Sequence, residues 1–393
     1  MKVAFNATSL LSPLTGIGQY SWQLAAGLAG RVDVDPVFFY GTHWSRRVRP
    51  SPVAGARQLM PFLRDSLPFS YELRRMVQSD RFSRARKPAT IDLYHEPNIL
   101  PFPFDGPTLI TVHDLSWIRH PEAHPKKRVQ AMNKYFPTGL ARASRVITDS
   151  GFVKRELMTI FSVPEEKISV VPLGVESEFR PMNEVQTHGT LQSLGLTHGR
   201  FFLVVGTMEP RKNLKAAVEA YVRLPVSIRM RFPLVLAGMK GWDTDALSQK
   251  LSTMNRRGEV RLLGYLPRTT LAFVVASATG LIFPSIYEGF GLPVLEAMAC
   301  GIPVISSNAA SMPEVAGEAG ILLDPHDTDG ITWAMEHLAT SAEERRRLGL
   351  LGLERSKSFT WEACVNSTVD VYRQTLGKSS KAQPTSIEPK LAQ

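Results

Sequence analysis

The sequence predicts an α/β protein of two domains, each a doubly wound, Rossmann-like parallel sheet. The chain has 393 residues, which exceeds the length that one hydrophobic core commonly supports. Short apolar, β-rich runs alternate with longer helix-compatible stretches, and this alternation is typical of parallel βα units. It stops between Gly174 and Gly195, where prolines and glycines lie among polar residues, and then resumes. We therefore expect an interdomain linker in this segment.

The predicted strands divide between the two domains. In the N-terminal domain they are residues 3–7, 36–40, 93–95, 109–113, 146–149 and 168–172. In the C-terminal domain they are residues 201–205, 234–237, 260–263, 280–284, 303–306 and 321–323. We assign residues 1–180 to the first domain and 190–358 to the second.

The end of the chain contains one more helix and a tail. Thr360 is suited to cap a final helix, about 360–376, that ends near Leu376. Residues 377–393 are rich in Ser, Lys, Gln and Pro and lack an apolar face, so we expect this tail to be disordered.

The composition is that of a soluble globular protein, with 44% hydrophobic and 21% charged residues. No apolar run approaches the roughly 18–20 residues that a membrane span requires, and the N-terminus lacks the pattern of a signal peptide. Cys300 and Cys364 are too few for a disulfide framework or a metal cluster, and they fit a reducing compartment. We therefore expect a cytoplasmic protein.

The net charge of +10 predicts an anionic partner, which is nucleic acid, a membrane surface or a phosphorylated substrate. Basic residues are dense at 46–49 and 74–87, both in the N-terminal half. These segments fit either a solvated helical face or a patch that rests on anionic lipid, which would place the protein at the cytoplasmic face of the inner membrane. Binding to nucleic acid is a remote alternative, because no aromatic and basic platform accompanies the charge.

The most informative segment runs from Glu288 to Glu296, between an apolar run and a helical stretch. Gly289 and Gly291 leave backbone N–H groups uncovered, and Pro293 suits a first helical turn. The segment can therefore hold a hydroxyl-rich or anionic ligand between two carboxylates. A nucleotide sugar fits this description.

A second candidate site opens the C-terminal domain, where Gly206 and Thr207 end a predicted strand and Arg211 and Lys212 follow. Ligands of open α/β sheets collect at the carboxyl ends of strands. Arginine binds phosphate oxygens bidentately, and lysine adds a mobile point charge. We expect both cations to stabilise a departing nucleoside diphosphate; the alternative for such a pair is a solvent-facing position.

The N-terminal domain offers two candidate features. Gly16 and Gly18 form a turn that opens the first helix, whose free N–H groups favour phosphate. The turn lacks the third glycine of a dinucleotide-binding fingerprint, which argues against an NAD enzyme. His113, followed by Asp114, ends a predicted strand and can contact a sugar hydroxyl or the attacking acceptor. Ser150 lies in a similar turn, and we assign it to helix capping.

Metal binding has weak support in the sequence. Asp-x-Asp sequences begin at Asp33, Asp243 and Asp327, but none directly follows an apolar strand. We interpret them as turns or helix starts. We therefore expect neither a metal ion nor a cofactor.

These motifs, in this order, resemble those of the retaining glycosyltransferases of the GT-B fold, which include bacterial mannosyltransferases, sucrose synthase and glycogen synthase. The resemblance spans nearly the whole chain and is most specific at residues 206–213 and 288–301. It implies two Rossmann-like domains that face each other across a cleft. It also implies a final helix, beginning near Trp361, that crosses back onto the N-terminal domain.

The resemblance implies that the donor nucleotide sugar lies in the cleft. Its sugar and ribose would be contacted by Glu288, Gly289, Phe290, Gly291, Leu292 and Glu296. Its diphosphate would be held by Gly16, Gly18, Gly206, Thr207, Arg211 and Lys212. Its base would be lined by Tyr265 and Leu266. His113 would lie near the hexose, so the catalytic candidates are His113, Arg211, Lys212 and Glu288. Many relatives carry Arg where this chain has Thr207, and Arg211 is the candidate to replace it.

The same segments are similar to those of bacterial mannosyltransferases and deoxyhexose transferases that build surface polysaccharides on a lipid carrier. This similarity favours GDP-mannose or GDP-rhamnose over a UDP-sugar, and a saccharide or lipid-linked saccharide as acceptor. Acceptor contacts are expected mainly in N-terminal loops such as 44–68. The alternative is a nucleotide-sugar epimerase or another GT-B enzyme, although an epimerase is not expected to combine Glu288 and Glu296 with Arg211 and Lys212.

Overall fold

The fold is described from a computed structural model, which describes residues 1–12, 16–49, 70–84, 90–239 and 245–377. The predicted tail lies outside these ranges apart from its first residue. Most of the loop at 44–68, where acceptor contacts are expected, also lies outside the described residues.

The N-terminal domain contains a seven-stranded sheet of order β3-β2-β1-β4-β5-β6-β7. Its strands are β1 (Lys2–Asn6), β2 (Asp35–Phe39), β3 (Trp44–Ser45), β4 (Leu93–Glu96), β5 (Thr108–Val112), β6 (Arg145–Thr148) and β7 (Ile168–Val170). All of them pair in parallel except β2 and β3. The sequence prediction omits β3, because a two-residue edge strand carries no alternating pattern.

The C-terminal domain contains a six-stranded parallel sheet of order β10-β9-β8-β11-β12-β13. Its strands are β8 (Phe202–Val205), β9 (Leu234–Ala237), β10 (Val260–Gly264), β11 (Gly280–Phe283), β12 (Val304–Ser307) and β13 (Gly320–Leu323). They coincide with the predicted apolar runs. Central strands of a parallel sheet are buried on both faces, so they need continuous rather than alternating apolar residues.

Helices connect the strands in both domains. In the first half of the chain they are α1 (Gly16–Ala29), α2 (Ser70–Arg84), α3 (Ser116–Arg119), α4 (Lys126–Arg142) and α5 (Gly151–Phe161). They continue as α6 (Glu184–Ser193), α7 (Leu214–Arg223), α8 (Val226–Arg231), α9 (Asp245–Arg256), α10 (Arg268–Ala276) and α11 (Leu292–Ala299). The last are α12 (Met312–Ala316), α13 (Thr328–Thr340), α14 (Ala342–Ser356) and α15 (Trp361–Thr375).

Helix α6 lies within the predicted interdomain linker between Gly174 and Gly195, where the sequence shows no helical periodicity. Asn183 and Gln186 form a capping box, in which each side chain accepts a hydrogen bond from the backbone N–H of the other at 2.9 Å. Only Thr187 and Leu191 are buried along the helix, so no apolar periodicity marks it in the sequence. The capping pair is the local signal that the prediction missed.

The chain crosses between the domains twice, and the two crossings lie side by side. Val175 forms a parallel bridge with Thr360. A Cβ atom at Gly174 would lie 2.1 Å from the backbone nitrogen of Trp361, so only glycine fits at this crossing. Thr360 accepts a hydrogen bond from the N–H of Ala363 and caps α15, as predicted.

Helix α15 packs against α1 and thus lies on the N-terminal domain, as the resemblance implies. The Tyr372 hydroxyl lies 2.7 Å from Nδ1 of buried His95, and Arg373 binds Asp33 at 2.6 Å. Burial, together with the nearby His113, lowers the pKa of His95 to about 3, so this histidine makes its hydrogen bonds as a neutral ring. The final helix completes the first domain.

Each sheet reverses its winding at one point, between β1 and β4 in the first and between β8 and β11 in the second. Ligands of such sheets bind outside the carboxyl ends of the strands at this point. Arg211 and Lys212 follow β8, and Glu288 follows β11. The predicted site therefore lies where the topology favours a ligand.

Candidate active site

The predicted cations and the first predicted glutamate form one cluster. Nη1 of Arg211 lies 3.1 Å from a carboxylate oxygen of Glu288, and the Lys212 ammonium donates to the other oxygen. Nε of Arg211 also donates to Glu209 at 3.0 Å. These side chains are only 9–17% exposed. Residues 76 positions apart in the sequence thus meet at the switch point.

The charges of this cluster balance one another. Burial acts to raise the pKa of Glu288, but the ammonium of Lys212 and the guanidinium of Arg211 outweigh burial and lower it. Glu288 is therefore ionised at neutral pH, and Glu209 supplies a second carboxylate beside Arg211. Both cations are paired with Glu288, so a diphosphate that binds them must replace the Glu288 carboxylate as their partner. The released carboxylate is then free to accept hydrogen bonds from sugar hydroxyls.

The loop after Glu288 leads directly into a helix whose first turn contains Pro293, as the sequence predicts. Gly291 adopts φ +104° and precedes α11, which begins at Leu292 with a proline in its first turn. Ser311 donates hydrogen bonds to the carbonyl oxygens of Glu288 and Phe290 at 2.9 and 3.0 Å. The Phe290 ring is buried in the core, so only its backbone is available to a ligand.

The other predicted donor contacts lie at the ends of β8 and β10. Gly206 adopts φ +142°, and a Cβ atom there would lie 3.8 Å from Cε of Lys212, so the lysine stem passes over this glycine. Thr207 and Leu266 are partly buried, and Tyr265 is 49% exposed. Their roles toward phosphate and base remain predictions.

Glu296 is held by an arginine that the sequence analysis missed. Glu296 lies in α11, is 2% exposed, and accepts a hydrogen bond from Nη2 of Arg268 at 2.6 Å. Arg268 also donates to Glu176 at 2.6 Å and lies over the Phe179 ring. Burial raises the pKa of Glu296, and the charge of Arg268 offsets this only in part. A ribose hydroxyl would have to share this carboxylate with Arg268.

Both ring nitrogens of His113 are engaged by protein groups. Nδ1 lies 2.7 Å from a carboxylate oxygen of Asp149, and Nε2 lies 2.9 Å from the carbonyl oxygen of Pro97. The pKa of His113 is raised. Burial acts to lower it, but the charge of Asp149 and the hydrogen bond to Asp149 outweigh burial. The ring can contact a sugar only if one of these bonds breaks. Its catalytic role therefore remains a prediction.

The other N-terminal candidates lie near His113. Helix α1 begins at Gly16, and Tyr20, one turn later, packs edge-to-face on the His113 ring at 4.7 Å between centroids. Gly18 is buried and Gly16 is exposed. Ser150 accepts a hydrogen bond from the N–H of Val153 and caps α5, as predicted.

The two domains touch at the predicted sugar-binding loop. Ser150 donates to the carbonyl oxygen of Gly289 at 2.7 Å, and the N–H of Gly151 donates to Glu314 at 2.7 Å. Arg155 also binds Glu314 at 2.8 Å. Burial acts to raise the pKa of Asp114, but the charge of Arg211 in the other domain lowers it. The site is thus assembled from both domains.

Two of the three Asp-x-Asp sequences lie among the residues that the structure describes, and both have structural roles. Asp327 caps α13 by accepting from the N–H of Gly330 at 2.8 Å, which confirms the predicted helix start. The sequence that begins at Asp33 leads into β2 instead, because Asp35 is the first residue of that strand. Asp243 lies outside the described residues.

The comparisons with known proteins cover both domains. A family model described as Glycosyl transferases group 1 matches residues 192–352, and one described as Glycosyltransferase Family 4 matches residues 14–179. O-antigen chain mannosyltransferase B of Escherichia coli is 36% identical over 384 residues, which cover 95% of this chain and 100% of the relative. The chain belongs to the group 1 glycosyltransferases. This membership argues against the epimerase alternative.

A further relative of this glycosyltransferase is MMP alpha-(1->4)-mannosyltransferase of Mycolicibacterium hassiacum, which is 32% identical over 59% of the chain and 54% of the relative. Among solved structures, sucrose-phosphate synthase of Thermosynechococcus elongatus matches with a TM-score of 0.74 at 20% identity, covering 96% of this chain and 100% of that one. WaaG, a glycosyltransferase involved in lipopolysaccharide biosynthesis, matches with a TM-score of 0.70 at 15% identity, covering 94% and 99%. These structures confirm the predicted GT-B fold.

None of the helices in the described ranges combines the length and the apolar character needed to cross a membrane.

Proposed function

We propose that this glycosyltransferase moves mannose from GDP-mannose to a saccharide acceptor carried on a lipid, in the synthesis of an O-antigen-type surface polysaccharide. The observation that carries the proposal is the 36% identity, along the full length of the relative, to an O-antigen chain mannosyltransferase. The cluster of Arg211, Lys212 and Glu288 at the switch point supplies the groups that a sugar diphosphate needs.

The proposed transfer retains the configuration of the anomeric carbon. The bond between this carbon and the diphosphate oxygen breaks, and a bond to the acceptor oxygen forms on the same face of the sugar. The acceptor proton passes to the leaving phosphate oxygen. Arg211 and Lys212 stabilise the negative charge that grows on this oxygen, and the helix N-terminus at Gly16 adds its dipole. Because Arg211 and Lys212 already supply positive charge at the leaving group, we propose that neither a metal ion nor a cofactor takes part.

The donor is tested by a thermal-shift screen of the purified enzyme with GDP-, UDP- and ADP-sugars, each with and without EDTA. A ligand that binds only the native state stabilises it by about 2.7 kcal/mol at a hundred times its Kd. We expect GDP-mannose to give the largest shift, and EDTA to leave it unchanged. The corresponding free nucleoside diphosphates serve as controls. A larger shift with UDP-glucose than with GDP-mannose would contradict the donor assignment.

We further propose that the N-terminal domain rests on an anionic membrane surface, where a lipid-linked acceptor is found. On α2, Met76 is 68% exposed and Val77 is 41% exposed, with exposed Arg81 in the same helix. Apolar side chains beside a cation suit the headgroup region. Arg75 is not part of this surface, because its guanidinium donates to the carbonyl oxygens of residues 100 and 101. The side chains of Arg74, Arg84, Arg86 and Lys87 lie outside the described residues.

Vesicle flotation tests this surface. The enzyme is expected to float with phosphatidylglycerol vesicles at low salt, and less with phosphatidylcholine vesicles or at high salt, because surface charges are screened. Met76→Asp, which places a carboxylate among the headgroups, should reduce flotation. The exposed Met230 of the C-terminal domain provides the matched control, Met230→Asp. Equal flotation of the two variants would refute the assignment to α2.

A further inference from the structure

The side chain of Tyr287 reaches from the C-terminal domain into the N-terminal domain. The residue follows β11 and directly precedes Glu288, yet its ring lies between N-terminal aromatic side chains and is 4% exposed. The ring centroid of Phe152 is 5.6 Å away and that of His120 is 5.4 Å away. One side chain of the C-terminal domain is therefore enclosed by the N-terminal domain.

The Tyr287 hydroxyl uses its hydrogen-bonding capacity on N-terminal groups. It accepts from the N–H of Leu115 at 2.9 Å and donates to the buried carboxylate of Glu156. The other oxygen of this carboxylate accepts from Nε of Arg119 at 2.6 Å. These bonds fix the hydroxyl in position, since a buried donor or acceptor left without a partner is costly. The contact is specific to one arrangement of the two domains.

The backbone of the same segment holds the predicted diphosphate ligand. The carbonyl oxygen of Tyr287 accepts from Nη1 of Arg211 at 3.1 Å. The N–H of Ile286 donates to the carbonyl oxygen of Arg211 at 2.8 Å. Arg211 and Glu288 must therefore follow any displacement of Tyr287.

We propose that Tyr287 is a positioning residue that sets the register between the domains at the reacting centre. Its side chain binds the N-terminal domain, and its backbone binds Arg211 and precedes Glu288, so the position of the N-terminal domain fixes the positions of these two residues. When the hydroxyl is docked on Leu115 and Glu156, the acceptor side of the cleft and the donor-binding groups are aligned for transfer. The inference rests on the glycosyl transfer proposed above.

The kinetic test uses Tyr287→Phe, which keeps the ring and removes the hydroxyl, and Glu156→Gln, which weakens its partner. We expect kcat to fall roughly tenfold to a hundredfold, as losing one hydrogen bond to a charged group predicts. The donor KM should change less than kcat, because the donor-binding side chains are retained. Unchanged kcat in both folded variants would overturn the proposal.

The matched control is Tyr221→Phe. Tyr221 is fully buried within the C-terminal domain, and its hydroxyl proton is shared between the carbonyl oxygens of Arg229 and Glu259 at 3.1 and 2.8 Å. Its loss should lower the melting temperature to a similar extent and leave kcat unchanged. A purely structural role for Tyr287 predicts the same behaviour for both variants, so an equal kcat in the two would also overturn the proposal.

A distance measurement separates this proposal from the proposed function. Val32→Cys and Val226→Cys place one spin label on an exposed position in each domain, and the native cysteines are buried. We expect a longer or broader interdomain distance distribution in Tyr287→Phe than in the labelled parent, both without ligand and with GDP. Identical distributions would refute the register role. Absence of turnover by the parent with any sugar nucleotide would refute the proposed function, while the distance comparison still decides the role of Tyr287.

Discussion

Replacing Glu288 by alanine is expected to abolish sugar transfer in a protein that still folds. The carboxylate is the common partner of Arg211 and Lys212, and it is the predicted contact of the donor sugar. Its loss removes the predicted hydrogen bonds from sugar hydroxyls to a charged group, which are worth about 1.5–3 kcal/mol each, so kcat should fall by at least roughly tenfold for each bond lost. Lys212→Ala should have a comparable effect, because it removes one of the two cations at the leaving group.

The measurement is steady-state kinetics with the donor found by the thermal-shift screen, together with circular dichroism and the melting temperature of each variant. Glu259→Gln is the control, because Glu259 pairs with Arg229 in the same domain but away from the switch point. Glu288→Gln keeps the side-chain shape and separates loss of charge from loss of packing. Turnover at the wild-type rate by folded Glu288→Ala would defeat the assignment.

Gly289→Ala is expected to block transfer by holding the domains apart. A Cβ atom at Gly289 would lie 1.7 Å from the carbonyl oxygen of His113 and 3.1 Å from Cβ of Asp114. Rotating a side chain cannot relieve a 1.7 Å contact with a backbone oxygen, so the two domains must separate. The clash lies between domains, and each domain should keep its own core. We expect a fall in kcat of roughly a hundredfold or more, since misplacing reacting groups by about 1 Å has an effect of that size.

Binding of GDP, measured by calorimetry, should change much less than kcat in this variant, because the predicted diphosphate cations remain in place. Gly189→Ala is the matched control: this glycine lies in α6, and a Cβ atom there meets no heavy atom within 4 Å. The control should retain full activity and gain slightly in stability. Turnover of Gly289→Ala within twofold of the parent would show that the close contact is not needed for transfer.

The sequence was sufficient for the parallel strands and for the core of the site. Buried strands appear in the sequence as continuous apolar runs. Ligand-binding residues follow strand ends, so Arg211, Lys212 and Glu288 could be assigned to one site from the sequence alone. Helix α6 was missed because its signal is a capping pair, Asn183 with Gln186, rather than a periodic apolar face.

Contacts between distant segments could not be predicted. Arg268 is 28 residues from Glu296, and nothing in either local sequence shows that α10 brings them together. Asp149 directly precedes the helix-capping Ser150, and it binds the ring of His113 from the neighbouring strand end. Tyr287 directly precedes Glu288 in the sequence, which gives no sign of its partners. Its contacts depend on how the two domains meet, which no single-domain pattern encodes.

The return of α15 to the first domain has a consequence for biosynthesis. The hydroxyl of Tyr372 that meets His95, and the guanidinium of Arg373 that meets Asp33, emerge from the ribosome only after the whole second lobe has been translated. The amino-terminal lobe therefore begins to fold before the second lobe but is completed only after it, and a nascent chain presents an uncovered surface along α1 until α15 has been synthesised. For the same reason, cutting the gene at the midpoint cannot yield two self-sufficient halves.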